Sequence, residues 1–169
     1  MPHVIRAGVR HDFEALRGIE LASFETLRAA QAVTGEAAAS SDDELQIYLD
    51  SGFLFVAGED SGGLFGYTGG YEAEGWLHIG EMDVHPLWQR QGIGRCLIGK
   101  MLATARERDL NGATLTTDRF APFNAPFYQK LGFRPLDAAA CSPRLKAILA
   151  SEADKGLDPR WRVAMMLAF

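Results

Sequence analysis

A glycine-rich loop that follows a strand-like segment is the part of this sequence whose residues point most clearly to chemistry. Trp76–Val84 is predicted as a strand, and the run Gln89-Arg90-Gln91-Gly92-Ile93-Gly94-Arg95 comes soon after it. Apolar residues then recur at helical spacing to about Asp109, so a helix is expected to begin in the loop. Free N–H groups and the positive end of the helix dipole attract anions there, and glycines let a phosphate approach the backbone. The loop is therefore a candidate phosphate site.

The charge around this loop supports the same interpretation. From Leu87 to Arg106 there are four basic residues and no acidic residue, in a chain whose formal net charge is −5. Two familiar phosphate loops do not fit, because Gly92-Ile93-Gly94 lacks both the lysine of a Walker loop and the third glycine of a dinucleotide loop. The loop by itself leaves two interpretations open: phosphate binding, and an ordinary surface helix start with solvated arginines.

The elements around the loop form one succession of strands and helices with no internal repeat or low-complexity linker, which is typical of an α+β or α/β domain. A capping-box pattern at Ser41-Asp42-Asp43-Glu44 predicts the start of a helix that Gly52 should end. The last strand is apolar at successive positions, so it should be covered on both faces. The predicted strands are 3–9, 53–57, 64–71, 76–84, 113–117, 133–136 and 161–169, and the predicted helices are 12–30, 41–52, 93–109, 126–131 and 142–156.

Composition excludes several classes of protein. The chain has 169 residues, of which 47% are apolar, enough for a substantial core in a single unit. The negative net charge argues against general binding of nucleic acid or anionic membranes. No apolar run is long enough to span a bilayer, and Met1 begins no signal-like segment, so we expect a cytoplasmic protein. Two cysteines and four histidines show no ligand spacing, and we therefore expect no metal site.

Two sequence blocks together carry a resemblance to a known family. The pattern Gln-x-x-Gly-x-Gly, from Gln89 to Gly94 after a strand that ends Val-His-Pro, resembles the acetyl-coenzyme A loop of the GNAT acetyltransferase superfamily. Asn124 to Phe133, which contains Tyr128-x-x-Leu-Gly-Phe, is similar to a later signature of the same superfamily. The blocks stand in the expected order, and the resemblance extends to the order of elements along most of the chain.

The resemblance implies a fold and a class of reaction. The fold would be α+β, α/β-like in its order of elements, with a mixed, mostly antiparallel sheet of about seven strands flanked by helices. Residues 1–169 would form a single GNAT domain. The activity would be an N-acetyltransferase that moves an acetyl group from acetyl-coenzyme A to a primary amine by direct transfer, with no metal. The alternative is a non-catalytic sensor or interaction module that binds acyl-coenzyme A.

The resemblance also implies where the cofactor lies. The fourth strand would separate from the fifth, so that the backbone from Met82 through Asp83 to Val84, chiefly Met82 and Val84, binds the pantetheine amides. The pyrophosphate would lie on the amides of the glycine loop. Asn124 would cap the short helix, bind the cofactor, or do both. The loop residues expected to bind are Gln89, Arg90, Gln91, Gly92, Ile93, Gly94 and Arg95.

Two side chains are the candidates for catalysis. Tyr128 matches the tyrosine that lies near the thioester sulfur in the family and protonates the leaving thiolate; the alternative is a core aromatic. An ammonium acceptor must lose a proton before it attacks, and Glu81 is the candidate base, acting directly or through water. Asp83 and His78 are weaker candidates, and a solvated strand carboxylate is the alternative for Glu81. Strand alternation would place Glu81 and Asp83 on one face unless a bulge intervenes.

The uneven distribution of charge bears on the acceptor. Residues 29–89 contain eleven acidic residues and no lysine or arginine. A cationic acceptor, such as a small-molecule or peptide amine, would be attracted to an acidic surface; the alternative is an ordinary solvated face. The alanine-rich segment 28–41 is a candidate acceptor-side lid. The resemblance leaves room for a homodimer and implies no nucleic-acid or membrane partner.

Overall fold

The computed structural model describes residues 3–29, 38–122 and 124–169. The candidate lid therefore falls largely outside the described residues, as does the predicted end of the first helix at residue 30. None of the helices in the described part of the chain is long and apolar enough to cross a membrane. The strands are β1 (Val4–Ala7), β2 (Leu54–Gly58), β3 (Leu64–Ala73), β4 (Trp76–Val84), β5 (Gly112–Asp118), β6 (Arg134–Leu136) and β7 (Arg162–Ala168); the helices are α1 (Phe13–Ala29), α2 (Asp42–Ser51), α3 (Ile93–Glu107), α4 (Ala125–Lys130) and α5 (Pro143–Asp154).

The seven strands form one mixed sheet in the order β1-β2-β3-β4-β5-β7-β6. Only β4 and β5 are parallel neighbours, so the predicted fold class is confirmed. Helices α3 and α4 pack on one face with the largest core cluster. On the other face α1 and α2 cover β2 and β3, whereas α5 covers β7. The strip of β4 and β5 between α1 and α5 on this second face is here called the open face.

The last strand is covered on both sides, as its apolar run predicts. Val163 and Met165 of β7 belong to the core under α3, whereas Ala164 packs against α5. The strand begins one residue later than predicted, because Trp161 ends a short 3-10 turn that starts at Pro159.

Local signals place the helix ends close to their predicted positions. The Ser41 hydroxyl accepts a hydrogen bond from the Glu44 N–H (3.2 Å), and Gly52 ends α2 with a left-handed φ of 72°. The first helix begins at Phe13 rather than Asp12, because residues 10–12 form a 3-10 turn whose Asp12 carboxylate is bound by Arg6 (2.8 Å).

A bulge and a separation of strands distinguish β4. The β3–β4 register shifts between Gly69 and Gly70, so that Gly69 pairs with Glu81 and Gly70 with Ile79, leaving Gly80 as the extra residue. The extra residue reverses the alternation of side chains between the two faces of β4, and it thereby brings His78 onto the same face as Glu81 and Asp83. Parallel pairing of β4 with β5 stops at His78 opposite Thr114.

Candidate active site

The separation of β4 from β5 leaves one edge of β4 without a strand neighbour. The His85 N–H donates to the Phe65 carbonyl (2.8 Å), and bonded pairs alternate along an antiparallel ladder. The N–H and C=O groups of Met82 and Val84 therefore point away from β3 into the gap. The sequence-predicted backbone contacts lie at this edge, where an extended amide-containing ligand could pair with the strand.

The glycine loop lies directly at the end of this edge. The side-chain amide of Gln89 donates to the Val84 carbonyl (2.9 Å), which ties the loop to β4 and engages one of the two predicted carbonyl acceptors. Arg90 and Gly92 have left-handed φ values of 64° and 81°. Backbone turns of this kind direct successive N–H groups into a concavity that suits anions.

Helix α3 begins in this loop without a capping side chain. Gly92 is the N-cap residue, and the Cys96 N–H donates to the Gly92 carbonyl (3.0 Å). The N–H groups of Ile93, Gly94 and Arg95 precede that first helical bond and have no partner within the helix. Arg90, Gln91 and Arg95 are exposed, and a Cβ at Gly92 would meet nothing within 4 Å. The exposed cationic residues of the loop therefore lie beside the free N–H groups at the start of α3, whereas the side chain of Ile93 is buried, and phosphate binding at the loop stays a prediction.

The loop, β4 and α4 meet at Gly94. A Cβ on Gly94 would lie 3.3 Å from Met82 Cε and 3.5 Å from Phe127 Cζ. This contact sets the start of α4 beside the gap. Asn124 is the N-cap residue of α4, but its side chain makes no capping hydrogen bond, so its capping role is not observed.

Tyr128 is buried in the largest core cluster, where its ring contacts Phe127 and Phe133 at centroid distances of 5.0 and 5.7 Å. Burial raises the pKa of Tyr128 above its usual value, and the charges of Asp83 and Glu81 raise it further. The phenol is therefore protonated at neutral pH. Its hydroxyl makes no hydrogen bond with any described residue, so it is available to a ligand.

Three carboxyl groups converge on the open face beside the gap. Oxygens of Glu20, Glu81 and Asp83 all lie within 4.8 Å of one another. Burial, followed by the charge of Asp83, raises the pKa of Glu81 well above the ordinary carboxyl value, and burial also raises the pKa of Asp83. The pair therefore holds a proton more tightly than two solvated carboxylates would.

Glu20 fixes the surroundings of this pair. It is buried and accepts hydrogen bonds from the Ser40 N–H (2.7 Å), the Ser40 hydroxyl (2.5 Å) and the Tyr67 hydroxyl (2.5 Å). These three hydrogen bonds occupy the Glu20 carboxyl, so Glu81 and Asp83 stay the members of the cluster that are candidates for proton exchange with a ligand. The absence of a metal stays a prediction, because three carboxylates at this spacing could also hold a hard cation.

His78, the weaker candidate base, lies at the closed end of the gap. It is 4% exposed, and its Nδ1 is 3.0 Å from the Thr114 hydroxyl. Burial, with a smaller contribution from the charge of Arg144, lowers the pKa of His78 to about 4. A neutral imidazole with this pKa is a weak base, which leaves the Glu81–Asp83 pair as the stronger candidate.

Sequence reasoning did not identify Glu20 or Tyr48. A Cβ on Gly80 would lie 2.4 Å from the Tyr48 hydroxyl, and one on Gly69 would lie 2.2 Å from its ring. The Tyr48 ring therefore lies flat on two glycines beside Glu81. The only sequence signals were an acidic residue on the apolar side of α1 and glycines in β3 and β4, which have no meaning until the strands are paired.

Both the sequence and the fold of this chain are similar to those of known proteins. A family model described as an acetyltransferase (GNAT) domain matches residues 50–135, which is half of the chain. The fold is similar to PaiA N-acetyltransferase from Thermoplasma acidophilum in complex with coenzyme A, with a TM-score of 0.70, 15% identity and 100% of both chains covered. It is also similar to the ribosomal-protein-S18-alanine N-acetyltransferase from Escherichia coli, with a TM-score of 0.67 and 17% identity over 99% of this chain and 94% of that chain.

A third similar structure is a GNAT family acetyltransferase from Brucella melitensis in complex with acetyl-CoA, with a TM-score of 0.53 and 24% identity over 79% of this chain and 83% of that chain. The seven-stranded mixed sheet with its flanking helices is thus that of the GNAT fold. The chain belongs to the GNAT acetyltransferase family.

Proposed function

We propose that this protein is an acetyl-coenzyme A-dependent N-acetyltransferase in which residues 1–169 form one domain. The observation that carries the proposal is the gap between β4 and β5, because an unpaired backbone edge, a cationic glycine loop and a carboxyl pair with raised pKa values lie together beside it. Two of the similar structures contain coenzyme A or acetyl-coenzyme A, which supports the same donor here.

The donor would bind along the β4 edge. Backbone groups of Met82 and Val84 would pair with the pantetheine amides, with Asp83 between them. The loop amides from Arg90 to Arg95 would hold the pyrophosphate, and Arg90 and Arg95 would neutralise part of its charge. Asn124, whose side chain makes no capping bond, is available to the donor as well.

Transfer would take place in a ternary complex. The Glu81–Asp83 pair removes a proton from the acceptor ammonium, and the neutral amine attacks the thioester carbon to form a tetrahedral intermediate. Collapse breaks the carbon–sulfur bond while Tyr128 donates its proton to the departing sulfur, so that coenzyme A leaves as the thiol; the second proton, which the attacking nitrogen loses as the amide forms, reprotonates the Tyr128 oxygen. The pKa of Tyr128, which burial and the Asp83 charge raise, keeps the phenol neutral until that step.

Thiol release from acetyl-coenzyme A in the presence of a panel of primary amines tests this proposal. Acceptor-dependent release, with mass-spectrometric detection of the acetylated amine, is the expected result. Tight binding of acetyl-coenzyme A with no turnover on any amine would instead identify a sensor module. Failure to bind acetyl-coenzyme A at all would reject both functions.

A further inference from the structure

A guanidinium group on the open face has almost no partner. Arg144, the second residue of α5, donates from Nη2 to the Thr114 hydroxyl (3.2 Å). Its Nε and Nη1 atoms are shielded from water and have no hydrogen-bond partner among the described residues, although the residue as a whole is only half-buried. A guanidinium is always charged and carries five donors, so most of its capacity is unused.

No carboxylate of the described residues compensates this charge. None of their ion pairs includes Arg144. Glu152 of the same helix binds Arg162 (3.1 Å) and the Thr116 hydroxyl (2.6 Å) instead. A shielded charge without a counter-charge is costly, and a folded protein seldom keeps one unless a ligand supplies the missing group.

The position of Arg144 relates it to the candidate active site. Thr114 is the β5 residue opposite His78 in the last pair before β4 and β5 separate. His78 lies on the same face of β4 as Glu81, and because Gly80 is the extra residue of the bulge, the two are opposite Tyr71 and Gly69, which are two residues apart on β3. At about 3.3 Å per residue, Arg144 therefore lies over a point about 7 Å from Glu81 along the strand, within the span of a small organic molecule. The Tyr71 ring packs on His78 at 5.3 Å and borders the same strip.

The contacts of Thr114 hold the guanidinium in this position. Because a guanidinium only donates, the Thr114 oxygen accepts from Arg144, and its own proton remains available to His78 Nδ1. The buried, neutral His78 thus completes a short polar chain that orients Arg144 without neutralising it.

We propose that Arg144 binds a carboxylate of the acceptor, so that the acceptor is an amino acid or another amine that also carries a carboxylate. This inference rests on the proposed acetyltransferase function. One unpaired cation matches a monoanion, and a guanidinium is the side chain best suited to a carboxylate. The Glu81–Asp83 pair would hold the ammonium end of the same molecule, so the two charges of a zwitterion would fix its orientation.

The test compares amines that differ only in the carboxylate. The acceptor panel consists of the L-amino acids, β-alanine and γ-aminobutyrate, each paired with its carboxamide. The wild type should acetylate at least one member and prefer it over its carboxamide. Arg144→Gln should raise the KM for that member 10- to 100-fold and leave the KM for acetyl-coenzyme A and for the carboxamide unchanged. Lys146→Gln, which removes an exposed cation two residues further along α5 and on a different side of the helix, is the matched control and should behave as the wild type.

Two further measurements separate the possible failures. Calorimetric binding of the same amino acids to the coenzyme A-loaded wild type and Arg144→Gln tests the inference even if no amine is turned over. Arg144→Gln should not lower the melting temperature, because it removes an uncompensated charge; a large drop would indicate a structural role and overturn the inference. Turnover or binding with no preference for the carboxylate would also overturn it while leaving the acetyltransferase function intact.

Discussion

Tyr128 shows how the surroundings of one side chain prepare it for a reaction. Its ring lies in the core between Phe127 and Phe133, whereas its hydroxyl has no partner among the residues that the structure describes. Burial and the charges of Asp83 and Glu81 raise its pKa, so the phenol is neutral and keeps a proton that it can donate. The same features make it a poor structural hydrogen-bonding group and a suitable donor to a developing thiolate.

Replacement of Tyr128 by phenylalanine tests this role. Because the hydroxyl makes no hydrogen bond with the described residues, Tyr128→Phe should change the free energy of unfolding by less than about 1 kcal/mol. Loss of a positioned proton donor should lower kcat by about 100-fold or more, with little change in the KM for acetyl-coenzyme A. Steady-state kinetics and thermal unfolding measure both quantities, and an unchanged kcat would remove Tyr128 as the donor.

The residues that sequence reasoning identified differ from those it missed in one respect. Tyr128 and Glu81 lie within motifs whose neighbours along the chain define them. Glu20, Tyr48 and Arg144 gain their surroundings from strands and helices distant in sequence, so no local motif defines them. Arg144 follows an ordinary Ser-Pro helix start, and only the packing of α5 on Thr114 reveals that its charge is uncompensated.

At the scale of elements, three residues of the glycine loop connect it to the elements around it. Gln89 binds the loop to β4, Gly94 lets Met82 of β4 and Phe127 of α4 approach, and Gly92 begins α3 with a left-handed φ. The bounds of most elements follow from the sequence, because caps and apolar periodicity are local. The bulge at Gly80 and the point where β4 leaves β5 depend on strand pairing, and the residues alone do not specify their positions.

A negative charge in the loop should abolish donor binding. Gly92→Glu places a carboxylate where the pyrophosphate is proposed to lie and also strains a residue whose φ is 81°. We expect the affinity for coenzyme A to fall at least 100-fold, measured by calorimetry.

Gly99→Glu is the matched control for this variant. It adds the same side chain two turns further along α3, at an exposed position where a Cβ would meet nothing within 4 Å, so it should bind coenzyme A nearly as tightly as the wild type. If both variants lose affinity for coenzyme A equally, the cause is a general effect of charge on α3. If both variants keep their affinity for coenzyme A, the loop is not part of the binding site.

At the scale of the whole molecule, the acidic residues are less concentrated than the linear sequence indicates. Among the described residues of the acidic stretch, only Glu81 and Asp83 belong to the carboxyl cluster, and Glu20 joins them from α1. Glu59 and Asp60 lie in the turn between β2 and β3, whereas Glu72 and Glu74 lie at the opposite end, where β3 turns into β4. The site therefore derives its acidic character from two converging elements, α1 and β4, and the approach surface suggested by the charge count stays a prediction.

The carboxyl cluster should also leave a signature in the pH dependence of stability. The pKa of Glu81 is raised in the folded state, so above about pH 4.5 the folded protein binds more protons than the unfolded chain, and stability falls as pH rises. His78 acts in the opposite direction: its pKa of about 4 lies below the usual 6.5, so the stability it contributes is present above pH 6.5 and is lost toward pH 4. Each group changes the free energy of unfolding by at most about 1.4 kcal/mol per pH unit.

Glu81→Gln isolates the first effect, because glutamine resembles the protonated acid and does not ionise. At pH 4 the variant and the wild type should unfold with similar free energies, and above pH 4.5 the variant should become progressively more stable, although its kcat should be lower. Denaturant unfolding from pH 4 to 8 measures this difference in the free energy of unfolding. The control is Glu72→Gln, which alters an exposed carboxylate on β3 and should differ from the wild type by an amount that does not grow with pH. If the difference in the free energy of unfolding between Glu81→Gln and the wild type stays constant or shrinks as pH rises, Glu81 ionises as a solvated carboxylate does. It could not then act as a base of raised pKa in the proposed reaction. A growing advantage would show that the fold gives up stability to keep a proton-accepting group beside the β4 edge.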